Sequence, residues 1–97
     1  MTLHIVSKSP FTSSALRECL DAFAQDDALL LIEDGTLALR HEALETVPNG
    51  QVYCLEADAA ARGQQQLAAT MDKVEIIDDA RWVQLCTEHH PIVSWFR

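Results

Sequence analysis

Ala28-Leu29-Leu30-Leu31-Ile32 is apolar at every position and stops abruptly at Glu33-Asp34-Gly35. A strand with one wet face alternates apolar and polar residues. An unbroken run of this length therefore reads as a strand covered on both faces, as in a parallel sheet between helix layers. One helix-length upstream, Leu3-His4-Ile5-Val6-Ser7 reads as a companion strand that ends on Lys8-Ser9-Pro10-Phe11. Between the two, Thr12, Ser13 or Ser14 supplies a cap for helix N–H groups. Ala15, Leu16, Cys19, Leu20 and Phe23 then recur at three- and four-residue steps, the mark of one buried helical face. Arg17, Glu18 and Asp21 project away from that face, and Gln25-Asp26-Asp27 turns the chain back.

The same alternation continues downstream. Residues 36–41 suit a short helix with Leu37 and Ala38 inward, Pro48-Asn49-Gly50 is a turn, and residues 51–55 form a third strand. Residues 56–62 have helical character and end at Gly63, a favourable C-terminal stop. Residues 74–77 read as a fourth strand, and Asp78 or Asp79 caps a helix carrying Trp82, Val83, Leu85 and Cys86. After Pro91, residues 92–96 are either a short last strand or an apolar tail. Strands alternating with helices predict one α/β domain over residues 1–97. Its architecture is three-layer α/β/α with a mainly parallel sheet of four or five strands.

Seven basic against fifteen acidic side chains give a net charge of −8, and the basic residues are scattered. Nucleic-acid affinity comes largely from Lys and Arg displacing counterions, so direct nucleic-acid binding by this chain is not expected. No apolar run approaches the roughly 20 residues that span a bilayer. The N-terminus lacks the basic and long apolar regions of a signal peptide. A cytoplasmic location with no membrane partner follows as the expectation. A chain this short buries only about two-thirds of its unfolded surface, so partner subunits would add useful burial.

Little in the chain carries chemistry. Gly35, Gly50 and Gly63 are isolated and build no phosphate-binding loop. Cys19, Cys54 and Cys86 are widely separated, which fits neither a disulfide framework nor a zinc site. His89 and His90, being adjacent, face different sides of a helix and read as helix-end residues that suit the dipole. No cofactor and no metal is expected. Asp34-Gly35 lies at the carboxyl end of a strand, where α/β proteins bind ligands. A single carboxylate without a partner nevertheless reads more simply as an acidic helix start.

Cys19 has two readings, a nucleophilic thiol or a small buried hydrophobe. It lies several residues past any helix cap, so a helix dipole would stabilise its thiolate only weakly. Cys54 and Cys86 read as structural. Trp82 reads as a core residue. Trp95 and Phe96, two large aromatics at the chain's end, read either as packing at the core's edge or as a subunit contact.

The pattern Leu3-His4-x-Val6-x-Lys8-Ser9-Pro10-Phe11 resembles the opening of the TusB/DsrH family of sulfur-relay proteins. Residues 29–35 resemble that family's second-strand block. Val52-Tyr53-x-Leu55-x-x-Asp58 through Ala61-Arg62-Gly63 is similar to its third strand and helix. Ile77-Asp78 with Val83 and Leu85, and Ser94-Trp95, complete five blocks in order over nearly the whole chain. The resemblance implies a subunit of a heterohexamer with TusC- and TusD-like partners, two copies of each. Such a complex passes persulfide sulfur from a TusA-type donor towards a TusE-type acceptor, ending in 2-thiouridine at the tRNA wobble position. It further implies that the principal relay cysteine belongs to the TusD-like subunit, leaving this chain structural or regulatory. The DsrH branch carries a cysteine in the first helix that matches Cys19, so the alternative is a persulfide carrier through Cys19 in oxidative sulfur metabolism. A third possibility outside sulfur chemistry is a small protein-binding module using its terminal aromatics.

Overall fold

The computed structural model describes residues 1–96. Five strands form one sheet in the order β4-β3-β2-β1-β5, with every pairing parallel. They are β1 (Leu3–Val6), β2 (Ala28–Leu31), β3 (Val52–Leu55), β4 (Val74–Ile77) and β5 (Ile92–Trp95). The apolar tail alternative at the C-terminus is thereby settled in favour of a strand, which pairs Leu3 with Ile92 and Val6 with Trp95. All four residues of β1 and of β2 are buried, as the unbroken apolar run requires, whereas β5 alternates exposed and half-buried residues. Position in the sheet explains this: β1 and β2 have neighbours on both sides, and β5 is an edge.

Side chains from alternate strand positions feed two cores. On one face Val6, Leu29, Leu31, Val52, Cys54 and Val74 pack against Leu16 and Cys19 of α1 (Ala15–Asp21). The same core takes in Ala59 of α2 (Glu56–Ala61), Ala68 of α3 (Gln65–Thr70) and Ala38, Leu39 and Leu44 from two 3-10 helices, Glu33–Arg40 and Glu42–Thr46. The opposite face buries Leu3, Ile5, Ala28, Leu30, Leu55 and Ile77 under Leu85 of α4 (Asp79–Glu88), which links one edge strand to the other. Helices thus cover both faces, giving the three-layer α/β/α arrangement.

Local chemistry accounts for the boundaries. Asp78, rather than Asp79, caps α4: its carboxylate accepts the Arg81 N–H at 2.9 Å. The Ser13 hydroxyl accepts the Ala15 N–H at 3.1 Å at the start of α1. Helix α3 has no counterpart in the sequence reading, because its only apolar residues are the run Leu67-Ala68-Ala69, preceded by glutamines and too short to show a period. The segment after β2 is a 3-10 helix running from Glu33, longer than the 36–41 helix expected, and it buries Leu39 as well as Ala38, with Leu37 half-buried. Of the apolar residues that α4 carries, Val83 is 66% exposed. A single helix must lay one narrow stripe on the sheet, and Leu85 with the half-buried Trp82 and Cys86 already supplies it.

The order of strands creates a switch point. From β1 the chain winds outward through β2 and β3 to β4, and then returns to place β5 on the other side of β1. The connection from β1 to β2 runs over one face through α1 and the connection into β5 runs over the other through α4, so the winding reverses between β1 and β5, which is where open α/β sheets form ligand crevices.

Candidate functional site

His4 interrupts the apolar run of β1 and is 3% exposed. A buried imidazole must have its nitrogens hydrogen-bonded, and both are. The Trp95 indole N–H donates to His4 Nδ1 at 3.0 Å, and His4 Nε2 meets Asp27 Oδ2 at 2.9 Å. An indole can only donate, so Nδ1 is the acceptor and Nε2 carries the proton that is given to Asp27. Asp27 also accepts the Thr2 N–H on Oδ1 and the Ala24 N–H on Oδ2, each at 2.9 Å. Burial opposes the ionisation of Asp27, but the bonds from Ala24, His4 and Thr2 outweigh it and lower the carboxyl from 3.8 to about 2. The Phe23 ring lies 5.2 Å from the imidazole and the Trp95 ring 6.1 Å from it. One polar chain thus ties the loop before β2, the interior strand β1 and the edge strand β5.

Trp95 is therefore half-buried and anchored, while its neighbour Phe96 is 67% exposed. The two terminal aromatics, grouped together from the sequence, have different surroundings. With Ala15, Glu18 and Ser94 they line a cleft of about 280 Å³ at the switch point. Replacing Trp95 by Phe keeps the ring but leaves His4 Nδ1 without a donor. The expected cost is about 1 kcal/mol, with faster amide exchange confined to Ile92–Trp95. Equal urea midpoints for the variant and the parent would show that the indole N–H adds nothing.

Cys19 packs into the core with no exposed surface. Burial, and after it the negative charge of Asp27, pushes its thiol from 9.0 up to about 12. Sulfur transfer needs an accessible thiolate, and Cys19 in this conformation is a neutral, enclosed thiol. Cys54 is also buried, and burial with the Asp58 charge pushes it up to about 11. Cys86 on α4 is half-buried. No group of three or more His, Cys, Asp or Glu side chains suited to a metal ion occurs among the described residues.

The Asp34-Gly35 turn is a structural clamp. Asp34 pairs with Arg62 at 2.8 Å, and Asp58 accepts the Glu33 N–H at 2.7 Å. Glu33 has φ 48°, a conformation that non-glycine residues adopt only where neighbouring contacts impose it. His89 ends α4 with its Nδ1 2.9 Å from the Leu85 carbonyl oxygen. A larger cleft of about 490 Å³ lies between residues 10–14 of the β1–α1 connection, with Leu16 and Arg17 of α1, and the junction of the two 3-10 helices at His41 and Ala43.

Sequence reasoning assigned no role to His4 or Asp27. The available signal was a histidine inside an otherwise apolar strand, a residue that burial obliges to find partners. Its acceptor, a loop aspartate among Gln25-Asp26-Asp27, carried no distinguishing mark.

No helix among the described residues is long and apolar enough to cross a membrane. The fold is similar to the solution NMR structure of protein Tm0979 from Thermotoga maritima. The TM-score is 0.65 and the identity 22%, covering 91% of this chain and 93% of that one. Two proteins described as Protein TusB, from Pectobacterium parmentieri and Photorhabdus laumondii subsp. laumondii, are each 31% identical over 96% of this chain and 99% of their own length. The family model described as DsrH like protein matches residues 8–92. The chain belongs to the DsrH-like family, and that membership supports a role in sulfur relay.

Proposed function

We propose that this chain is a structural or regulatory subunit of a cytoplasmic sulfur-relay complex and that the sulfur-carrying cysteine lies on another subunit. Its partners in this reading are TusC- and TusD-like chains, two copies of each. The complex takes persulfide sulfur from a TusA-type donor towards a TusE-type acceptor, for 2-thiouridine at the tRNA wobble position. The observation that carries the reading is the enclosure of Cys19 in a chain of this family: its thiol is fully buried and held protonated. A carrier must present a thiolate to two successive proteins, and burial opposes both the ionisation and the access.

Native protein incubated with a persulfide donor is expected to gain no sulfur at Cys19, as read by intact mass and peptide mapping. Under the same conditions an alkylating reagent should modify Cys86 before Cys19. A sulfur addition that is present in the parent and absent from Cys19→Ser would overturn the non-carrier assignment and favour the carrier alternative. Membership of the complex is tested separately. Co-expression with TusC- and TusD-like chains should yield a stable assembly, and deletion of the gene should lower wobble 2-thiouridine. Unchanged tRNA thiolation would count against that pathway.

A further inference from the structure

A proton added to the buried His4 ring has one place to go. Nε2 already carries a proton and gives it to Asp27, so the added one goes to Nδ1. Nδ1 is the atom that accepts the Trp95 indole N–H at 3.0 Å. An imidazolium has two donors and no acceptor, and an indole only donates. Protonation therefore sets two N–H groups against each other, and one of them must leave.

The groups around the ring decide which contact yields. In the sheet register Leu29 of β2 and Val93 of β5 lie beside His4, and neither strand carries a titratable side chain. Phe23, just past α1, leans on the ring. The buried titratable groups on the packed elements are Asp27, from the loop before β2, and Cys19 of α1. Arg17, Glu18 and Asp21 of α1 and Asp26 of the loop are exposed. Cys19 is a neutral thiol, while Asp27, lowered to about 2, stays a carboxylate wherever histidines titrate. A bond from a charged ring to a carboxylate is stronger than one from a neutral ring. Asp27 thus keeps its hold on Nε2, and the Trp95 contact is the one that opens. Trp95 has room to leave. It is the half-buried last residue of an edge strand, and it borders the cleft of about 280 Å³ whose lining also holds Glu18.

We propose that His4 is a proton-operated latch on the end of β5: a proton taken from solvent onto Nδ1 releases the Trp95 indole and reshapes the cleft that Trp95 and Phe96 border. The latch rests on hydrogen-bond geometry and holds whichever relay the chain serves.

The test uses the full chain labelled with ¹⁵N and ¹³C, followed by NMR from pH 8 to about pH 5. The His4 ring nitrogens report its protonation, and the indole N–H of Trp95 reports the bond. As His4 takes up a proton, the Trp95 indole resonance should move upfield and exchange faster with water, at the same midpoint. Trp82, packed under α4 on the other face of the sheet, is the internal control. Coupling between two sites is reciprocal, so Trp95→Phe should raise the His4 midpoint by about 0.5 or more in pH. His4→Gln, which takes up no proton, should remove the pH response of Trp95, with the amide spectrum confirming the fold. If His4→Gln does not fold, the midpoint in Trp95→Phe decides. The latch is overturned by a His4 ring that stays neutral to pH 5, by an indole that ignores its protonation, by an unmoved midpoint in Trp95→Phe, or by a response that survives in His4→Gln.

Discussion

Gly35→Ala is expected to destabilise the fold by about 3 kcal/mol, at the upper end of the cost of overpacking. A β-carbon on Gly35 would lie 2.8 Å from the Val6 carbonyl carbon and closer still to its oxygen. That oxygen already accepts the Ile32 N–H at 3.1 Å, and the Gly35 N–H itself donates to Ile32 at 2.8 Å. Both sides of the contact are hydrogen-bonded backbone, so neither yields as a flexible side chain would. Relief requires the 3-10 helix Glu33–Arg40 to lift from the end of β1, carrying the buried Thr36, Ala38 and Leu39 with it. Gly50 provides an internal control. A β-carbon there meets nothing within 4 Å, and only its φ of 83° opposes a side chain. Gly50→Ala should therefore cost about 1 kcal/mol. Urea melts read at constant m-value separate the two, and equal midpoints would show that the Gly35 contact relaxes freely.

That contact also shows where sequence reading reaches its limit. The strands were legible because burial on both faces leaves an unbroken apolar run, and residues 28–32 contain it in full. The apolar face of α1 was legible for the same reason, at its own period. Helix α3 contributes only Ala68 to the buried set, so its periodic signal is too thin to register. Sequence does not say which of the apolar residues on α4 lie inside: Leu85 is buried and Val83 exposed, because an apolar residue in a helix has no obligation to be inside. The site was harder. Position alone decides that Asp27 and Trp95, separated by most of the chain, reach the two nitrogens of His4, and no local pattern encodes that meeting. Cys19 shows the converse: its spacing placed it on the buried stripe, but the protonation state of its thiol follows from the depth of burial and the nearby Asp27.

The His4 chain has a direction, and Asp27→Asn is expected to break it at a cost of about 3 kcal/mol, the range for an unmet buried bond to a charged group. The Trp95 N–H obliges His4 Nδ1 to accept, which obliges Nε2 to donate, which obliges position 27 to accept. Position 27 must also accept from Thr2 on one oxygen and Ala24 on the other. An asparagine offers one oxygen and one NH₂, so one orientation sets that NH₂ against the part-buried Thr2 N–H and the other against the buried His4 Nε2–H and the Ala24 N–H. Changing the His4 tautomer only moves the conflict to Trp95. The pH dependence carries the same signature. The carboxyl of Asp27 is lowered from 3.8 in the unfolded chain to about 2 in the fold. A depressed acid stabilises the fold above its unfolded value and loses that contribution as pH falls through its folded value. Nearly two units correspond to roughly 2 kcal/mol. The stability gap between the parent and Asp27→Asn should therefore be full at neutral pH and narrow between about pH 4 and pH 2. A gap that stayed constant over that interval would show that Asp27 acts through its shape and not its charge.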